Sequence, residues 1–242
     1  MIDTHCHIDL YKNPKKVLLE SETAGITVIA MTNLPSHFEM GYPHVLPFKK
    51  IRLALGMHPL YAEQHNREFS LFLKNLSKTS YIGEVGLDFS REGFVTKETQ
   101  LITFEKILDA IAGEKKILSL HSRRAEKEVL SLLIRKKTQN AIFHWYSGPL
   151  PLIEKIADAG YYFSINPSMV KSESGRKIID RIPPSKVLTE TDGPFTNVDG
   201  RPTKPRDVVL VHQYLSKKWA KTNEEINSMI TLNFQKLLSH IR

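Results

Sequence analysis

The chain holds a single cysteine, no apolar run close to the ~20 residues that a membrane helix requires, no Gly/Ser-rich linker and no glycine-rich phosphate loop. Each absence excludes something. Cys6 alone cannot form an internal disulfide, which suits a reducing compartment such as the cytoplasm. Without a long apolar run there is no membrane helix. Asp3, His5, His7 and Asp9 interrupt the stretch where a signal peptide would carry its apolar segment, so the expectation is a cytoplasmic protein with no membrane partner. The lack of a composition break or low-complexity tract leaves residues 1–242 as one domain. A doubly wound open sheet usually shows a glycine-rich loop after an early strand, and none is present.

What is there is a basic, ordinarily apolar chain: 41% hydrophobic residues can build a core, and a formal net charge of +8 favours polyanionic partners, nucleic acid first. Lys15-Lys16, Arg135-Lys136-Lys137 and Lys217-Lys218-Lys221 read as solvated helix faces. Short β-branched or aromatic segments fall at 2–7, 26–32, 51–57, 81–85, 117–121, 141–145, 160–165 and 186–191. Helical spacing lies between most of them, clearest over 98–112 and 123–134, with two more helices near 206–220 and 223–240. Eight strands alternating with helices in 242 residues predict an α/β fold, a (β/α)8 TIM barrel. The weak unit is 33–50, where Pro35, Pro43 and Pro47 predict a loop with one short helical turn.

A barrel of this kind works at the C-terminal ends of its strands. His5 and His7, two residues apart on a strand, can converge on one point. Cys6 between them points the other way and reads as a small buried hydrophobe. His58 follows the third strand in "GMHP", Glu84 lies on the fourth in "GEVGLD", and His121 and His144 end the fifth and sixth. Glu190 and Asp192 share a face in "TETDGP". The remaining histidines, His37, His44, His65, His212 and His240, fall in loops or helices and are expected to be solvated. Histidine nitrogens and carboxylate oxygens gathered at one rim suit zinc, manganese or a similar divalent ion.

Taken in order, "DTHCHID", "GMHP", "GEVGLD", "LSLHSRRA", "FHWYSG", "TETDGPF" and "LNFQKLL" resemble the TatD family of metal-dependent hydrolases and deoxyribonucleases, in the amidohydrolase superfamily. The wording of "HIDLYKNP", "HSRRA" and "TETDGPF" further resembles TatD-like components of the Qat anti-phage defence systems. The resemblance implies two divalent ions (zinc, magnesium or manganese), one held by His5, His7 and Asp192, the other by His121 and His144, with Glu84 bridging. A carboxylate can span two ions ~3.5–4 Å apart, which no histidine can do. Asp192 would also accept the proton of the attacking water. Glu190 and Asp3 either orient ligands or are buried hydrogen-bonding carboxylates. The resemblance puts His58 near substrate, the alternative being a hydrogen bond within its own loop.

Arg123 and Arg124, on the first turn of the next helix, would meet phosphate, as would Arg201, Lys204 and Arg206 after the last strand. The family's Arg-Asn-Glu-Pro element is replaced here by "GRPTKPRDV", and of two glutamines usual after the fourth strand only Gln100 remains. The expected activity is cleavage of nucleic-acid phosphodiester bonds, in family terms by a 3′–5′ DNA exonuclease acting in anti-phage defence. The alternatives are hydrolysis of a small phosphate ester, lactone or amide, or a defence-complex subunit that mainly docks a partner protein. The Tyr214–Trp219 helix face and the prolines of 33–50 are candidate docking surfaces, with ordinary packing on the barrel as the alternative.

Overall fold

The computed structural model describes residues 1–239 and 241. The chain alternates β1 (Ile2–Cys6), α1 (Pro14–Thr23), β2 (Thr27–Ala30), α2 (Pro35–Val45), β3 (Ile51–Leu53), β4 (Leu55–Met57), α3 (His65–Asn75), β5 (Tyr81–Gly86), α4 (Lys97–Ala110) and β6 (Ile117–His121). It continues through α5 (Glu126–Arg135), β7 (Ala141–His144), α6 (Leu150–Asp158), β8 (Tyr162–Ile165), α7 (Pro167–Lys171), α8 (Glu173–Arg181), β9 (Val187–Thr189), the hairpin β10 (Asn197–Val198) and β11 (Arg201–Pro202), α9 (Val208–Trp219) and α10 (Asn223–Ser239). β1-β2-β3 and β4 through β9 pair in parallel, in sequence order. β3 and β4 are halves of one strand broken at Ala54, whose N–H still donates to Ala30 O at 2.8 Å. β9 and β1 are joined by side chains: Thr4 Oγ1 donates to Thr189 O (3.1 Å) and Thr189 Oγ1 to Ile2 O (2.6 Å). The result is the expected (β/α)8 barrel.

Inside the barrel the strand period of two runs from an apolar floor to a polar rim. On β6 Ile117, Ser119 and His121 follow one another on one face, on β7 Ile142 and His144, and on β8 Tyr162 and Ser164. Leu188 of β9 is followed two residues on by Glu190. Ile29, Ile117, Ile142 and Leu188 form the floor, and Phe234 and Leu237 of α10 pack against them. The outward strand faces pack on the helices in the larger core, Val28, Leu118, Phe143 and Phe163 among them. Stability is thus concentrated at one end of the barrel and along its flanks. The other end is free to carry polar groups.

Three local expectations are corrected. Within 33–50 the chain forms an eleven-residue helix, Pro35–Val45, and not a single turn: Pro35 sits in its first turn, where a missing N–H is harmless, and Glu68 accepts a hydrogen bond from Ser36 N (3.0 Å). Pro43 costs one helical hydrogen bond near the far end, offset by burial of Phe38 and Val45. Arg123 and Arg124 lie in the turn before α5 rather than in its first turn, because the helix starts at Glu126. His65 and His212 are buried, not solvated. His65 Nε2 meets His58 O at 3.0 Å, and His212 faces the barrel from α9. His37 is half-buried and His44 exposed, while His240 lies outside the described residues. Tyr214 and Trp219 pack against the core, as ordinary packing requires.

Two stability predictions arise from this arrangement. Gly86 ends β5 at φ +134°, and a Cβ there would stand 2.1 Å from His121 O. Gly86→Ala should therefore lower Tm by roughly 6–12 °C, the shift produced by about 3 kcal/mol in a chain of this size. Gly113, also at positive φ but with open space around it, should cost only about 1 kcal/mol as alanine. Comparable melting of the two variants would contradict the close approach. Burial, with the N-terminal amine nearby, holds His212 down at about 4. The unfolded state then binds the proton more tightly, so stability present above pH ~6.5 is lost as pH falls toward about 4, by up to about 3 kcal/mol. His212→Leu should flatten that part of the urea-midpoint profile; an unchanged profile would show that His212 is not the group concerned.

Candidate metal centre and active site

β1 ends at Cys6, and the turn after it is tied to the loop after β9: His7 N donates to Gly193 O (2.8 Å) and Asp192 N to His5 O (2.9 Å). This brings His5, His7 and Asp192 together. His5 Nε2 and His7 Nε2 lie 3.2 Å apart. Glu84 Oε2 is 3.5 and 3.1 Å from them, and Asp192 Oδ1 is 3.6 and 3.8 Å away. Four ligands placed ~2.1 Å from an ion in a tetrahedron are about 3.4 Å apart. The His5, His7 and Glu84 atoms have that spacing, and Asp192 Oδ1 stands at much the same distance from both imidazoles.

A second set surrounds the other oxygen of the same carboxylate. Glu84 Oε1 is 2.6 Å from His121 Nδ1, 3.0 Å from His144 Nε2 and 3.4 Å from His58 Nε2. All six expected donor residues and His58 therefore meet at one rim, and the two oxygens of Glu84 face different histidine sets. His58 also accepts a hydrogen bond from Leu60 N at its Nδ1 (3.1 Å), so it serves its own loop as well as facing Glu84.

Neighbours fix these side chains. Ser119 Oγ meets His5 Nδ1 at 2.7 Å, and Asp88 Oδ2 meets His121 Nε2 at 2.7 Å. Asp88 accepts from Ser90 N (2.8 Å), and its own N–H donates to Gln100 Oε1 (2.8 Å). That contact explains the retained glutamine. Asp88 was legible in "GEVGLD" and Ser119 by counting back two from His121; neither stands among the sequence candidates. Asp3 accepts from Thr191 Oγ1 (2.5 Å), Thr191 N (2.9 Å) and His5 N (3.2 Å), bracing β1 against the loop after β9. Glu190 accepts from Trp145 N (3.0 Å), Asn166 Nδ2 (3.0 Å) and the Ser164 hydroxyl, with His144 Nδ1 3.6 Å away. Trp145 and Asp192 have φ of +37° and +49°. Non-glycine residues are disfavoured there, and such strain gathers at functional sites.

The electrostatics are those of a site that expects a cation. Asp192 is pushed well above the usual carboxylate range by burial, and the nearby Glu190, Glu84 and Asp3 add to the effect. Burial also holds Asp3 up at about 8. Burial and the neighbouring His144 push His5 well below its ordinary value, so it is neutral with a lone pair to offer. Burial opposes the charged form of Glu84 too, but His58, His144 and His121 facing it win and hold it well below its ordinary value. His7 Nδ1 and His144 Nδ1 are buried without hydrogen-bond partners. Four buried carboxyl groups beside imidazole nitrogens at ligand spacing fit a divalent ion, which would draw protons off the carboxyls and satisfy the converging lone pairs.

The site opens into a cavity of about 630 Å³, lined by Tyr61, Arg123, Trp145 and Phe195 as well as the cluster itself. Arg123 is exposed at this mouth. The other expected phosphate contacts differ. Arg201 is held by Asp207 in a two-pronged pair (2.7 and 2.8 Å) and Lys204 Nζ by Glu20 (2.7 Å), so carboxylates of the chain already occupy both; Arg206 is exposed.

This fold and this donor set define a metal-dependent hydrolase. The family model described as TatD related DNase matches residues 2–239, and the chain belongs to that family. It is 25% identical to deoxyribonuclease TATDN3 of Homo sapiens, over 100% of this chain and 96% of that protein. It is 26% identical to a metal-dependent hydrolase of Methanocaldococcus jannaschii, over 96% and 94%. The crystal structure of YjjV, a TatD homologue from Escherichia coli, superposes with a TM-score of 0.87 at 24% identity, covering 98% of this chain and 97% of that one. Among the described residues no helix is long and apolar enough to cross a membrane.

Because Glu84 faces both histidine sets, it should matter most for metal uptake. Glu84→Gln should weaken zinc or manganese binding by at least about tenfold, more than Asp192→Asn, whose amide oxygen still coordinates weakly. Equilibrium dialysis showing full uptake by Glu84→Gln would remove it from the centre.

Proposed function

We propose that this chain hydrolyses phosphodiester bonds of DNA using two divalent ions, zinc, magnesium or manganese. The observation that carries the reading is the split of Glu84: Oε2 toward His5 and His7, which Asp192 also faces, and Oε1 toward His121, His144 and His58. In the proposal His5, His7 and Asp192 would hold one ion and His121 and His144 the other, with Glu84, whose two oxygens face both sets, serving both. Divalent ions held there would supply a water acidified toward neutrality and positive charge to offset that of the scissile phosphate. Asp192 Oδ takes the proton of the attacking water, the general-base role. His58, at the cavity wall, faces the phosphate or the leaving oxygen. Arg123 binds the next phosphate along the strand from its exposed place in the turn before α5.

The finer reading is a 3′–5′ exonuclease working in the cytoplasm as part of an anti-phage defence system. Its polarity rests on family resemblance, and its defence role on the wording of "HIDLYKNP", "HSRRA" and "TETDGPF". Partner proteins would come from the same system.

DNA labelled at either end, single-stranded and duplex, tests the reading directly. Cleavage should require added Mg²⁺, Mn²⁺ or Zn²⁺, stop with EDTA, and release mononucleotides from the 3′ end. Activity that survives exhaustive chelation would overturn the metal mechanism, and release from the 5′ end would overturn the polarity. Arg123→Ala should reduce the slope of log affinity against log salt by roughly one phosphate contact, whereas Lys204→Ala, already paired with Glu20, should leave it unchanged. Equal slopes for wild type and Arg123→Ala would place the phosphate contact elsewhere.

A further inference from the structure

The loop that carries Asp192 continues into Phe195, whose backbone is held and whose ring is not. Phe195 N donates to Asp192 O (2.9 Å), Thr196 N to the same oxygen (3.3 Å), and Thr196 Oγ1 to Thr191 O (2.6 Å). The ring nevertheless stands 56% exposed, edge-on to His7 with centroids 5.1 Å apart. Among the described residues the other exposed phenylalanine is Phe94, and Lys97 covers its ring at 5.3 Å. Phe195 has no such cover, and it opens onto the cavity shared with half-buried Trp145 and Tyr61. Tyr61 in turn lies edge-on to His58 at 6.0 Å. Aromatic surface thus borders the donor cluster within a single cavity.

A solvent-facing phenyl ring on a rigid loop beside a polar centre has one chemical use that fits its surroundings. Aromatic faces stack on nucleobases without regard to sequence, and a fixed backbone means little order is lost when they do. A cavity of about 630 Å³ is of the size that takes small ligands, and suits one or two nucleotides rather than a base-paired duplex. We propose that Phe195, with Trp145 as a second wall, is a stacking platform for an unpaired nucleobase one sugar away from the phosphate at the metal centre. This rests on the nuclease reading above, since a substrate without bases has nothing to stack.

The test uses two single-stranded oligonucleotides of one sequence, one of them abasic at its three 3′-terminal positions. For wild type with Mn²⁺, the abasic oligonucleotide should show KM higher by about 5- to 150-fold, the range for losing one base–aromatic stack, with kcat little changed. Phe195→Ala should raise KM on the normal oligonucleotide by a similar factor and leave the abasic one unaffected, while Phe195→Tyr should stay near wild type. Equal KM for the two oligonucleotides on wild type, or an equal loss on both in Phe195→Ala, would overturn the platform while leaving the nuclease reading intact. Failure of both to bind or be cut would overturn the nuclease reading and the platform with it.

Discussion

Everything at the mouth of this barrel depends on one buried carboxylate. Glu84 is 3% exposed, and a charge so placed is costly unless its surroundings replace the lost water. Histidines from the end of β1, the turn after β4, and the ends of β6 and β7 do this, and in doing so lie within ligand distance of one another. The same crowding makes the other carboxyls uncomfortable: Asp192 is driven well above its ordinary range by burial, with Glu190, Glu84 and Asp3 at its back. An arrangement of this kind is poorly balanced without a cation, and that imbalance is its function. A metal-dependent hydrolase builds its centre by placing donors where only a positive ion satisfies them.

The rest of the barrel exists to hold that imbalance in place. Its interior changes character along each strand, from Ile117 through Ser119 to His121 and from Ile142 to His144, so that one end is a packed floor and the other a donor rim. α10 closes the floor with Phe234 and Leu237, and the outward strand faces pack under the helices. Hydroxyl groups at the junction of β9 and β1 close the ring beside the very residues that converge. Separating the stabilising core from the polar rim lets strain be tolerated at Trp145 and Asp192 without loss of the fold.

Charge at the mouth is more sparing than the net +8 suggests. Arg201 and Lys204 are taken up by Asp207 and Glu20, where they brace the long loop after β9. Arg123 is left exposed at the cavity rim. Grip on a polyanion would thus come from the metal centre, a basic side chain at its edge and aromatic surface, instead of a broad basic face.

The sequence by itself determined the strand order, the barrel and which histidines and carboxylates stand at its rim, because these are written locally. Alternating β-branched runs announce strands, and a histidine or carboxylate at a strand's end must lie at the barrel's rim. It determined less where local signals compete. Three prolines between 33 and 50 argued for a loop, yet one sits harmlessly in the first turn and burial of Phe38 and Val45 outweighs another. His65 and His212 carried no periodic signal of burial, and it is packing of α3 and α9 on the barrel that covers them. Only the tertiary structure decided which oxygen of Glu84 faces which histidines, that Asp88 holds His121, that Arg201 and Lys204 are already paired, and that Phe195 is left uncovered. Each is a relation between side chains far apart in the chain. Distances of 3 Å between residues separated by tens to nearly two hundred positions are set by how strands close into a ring, and no local pattern encodes them.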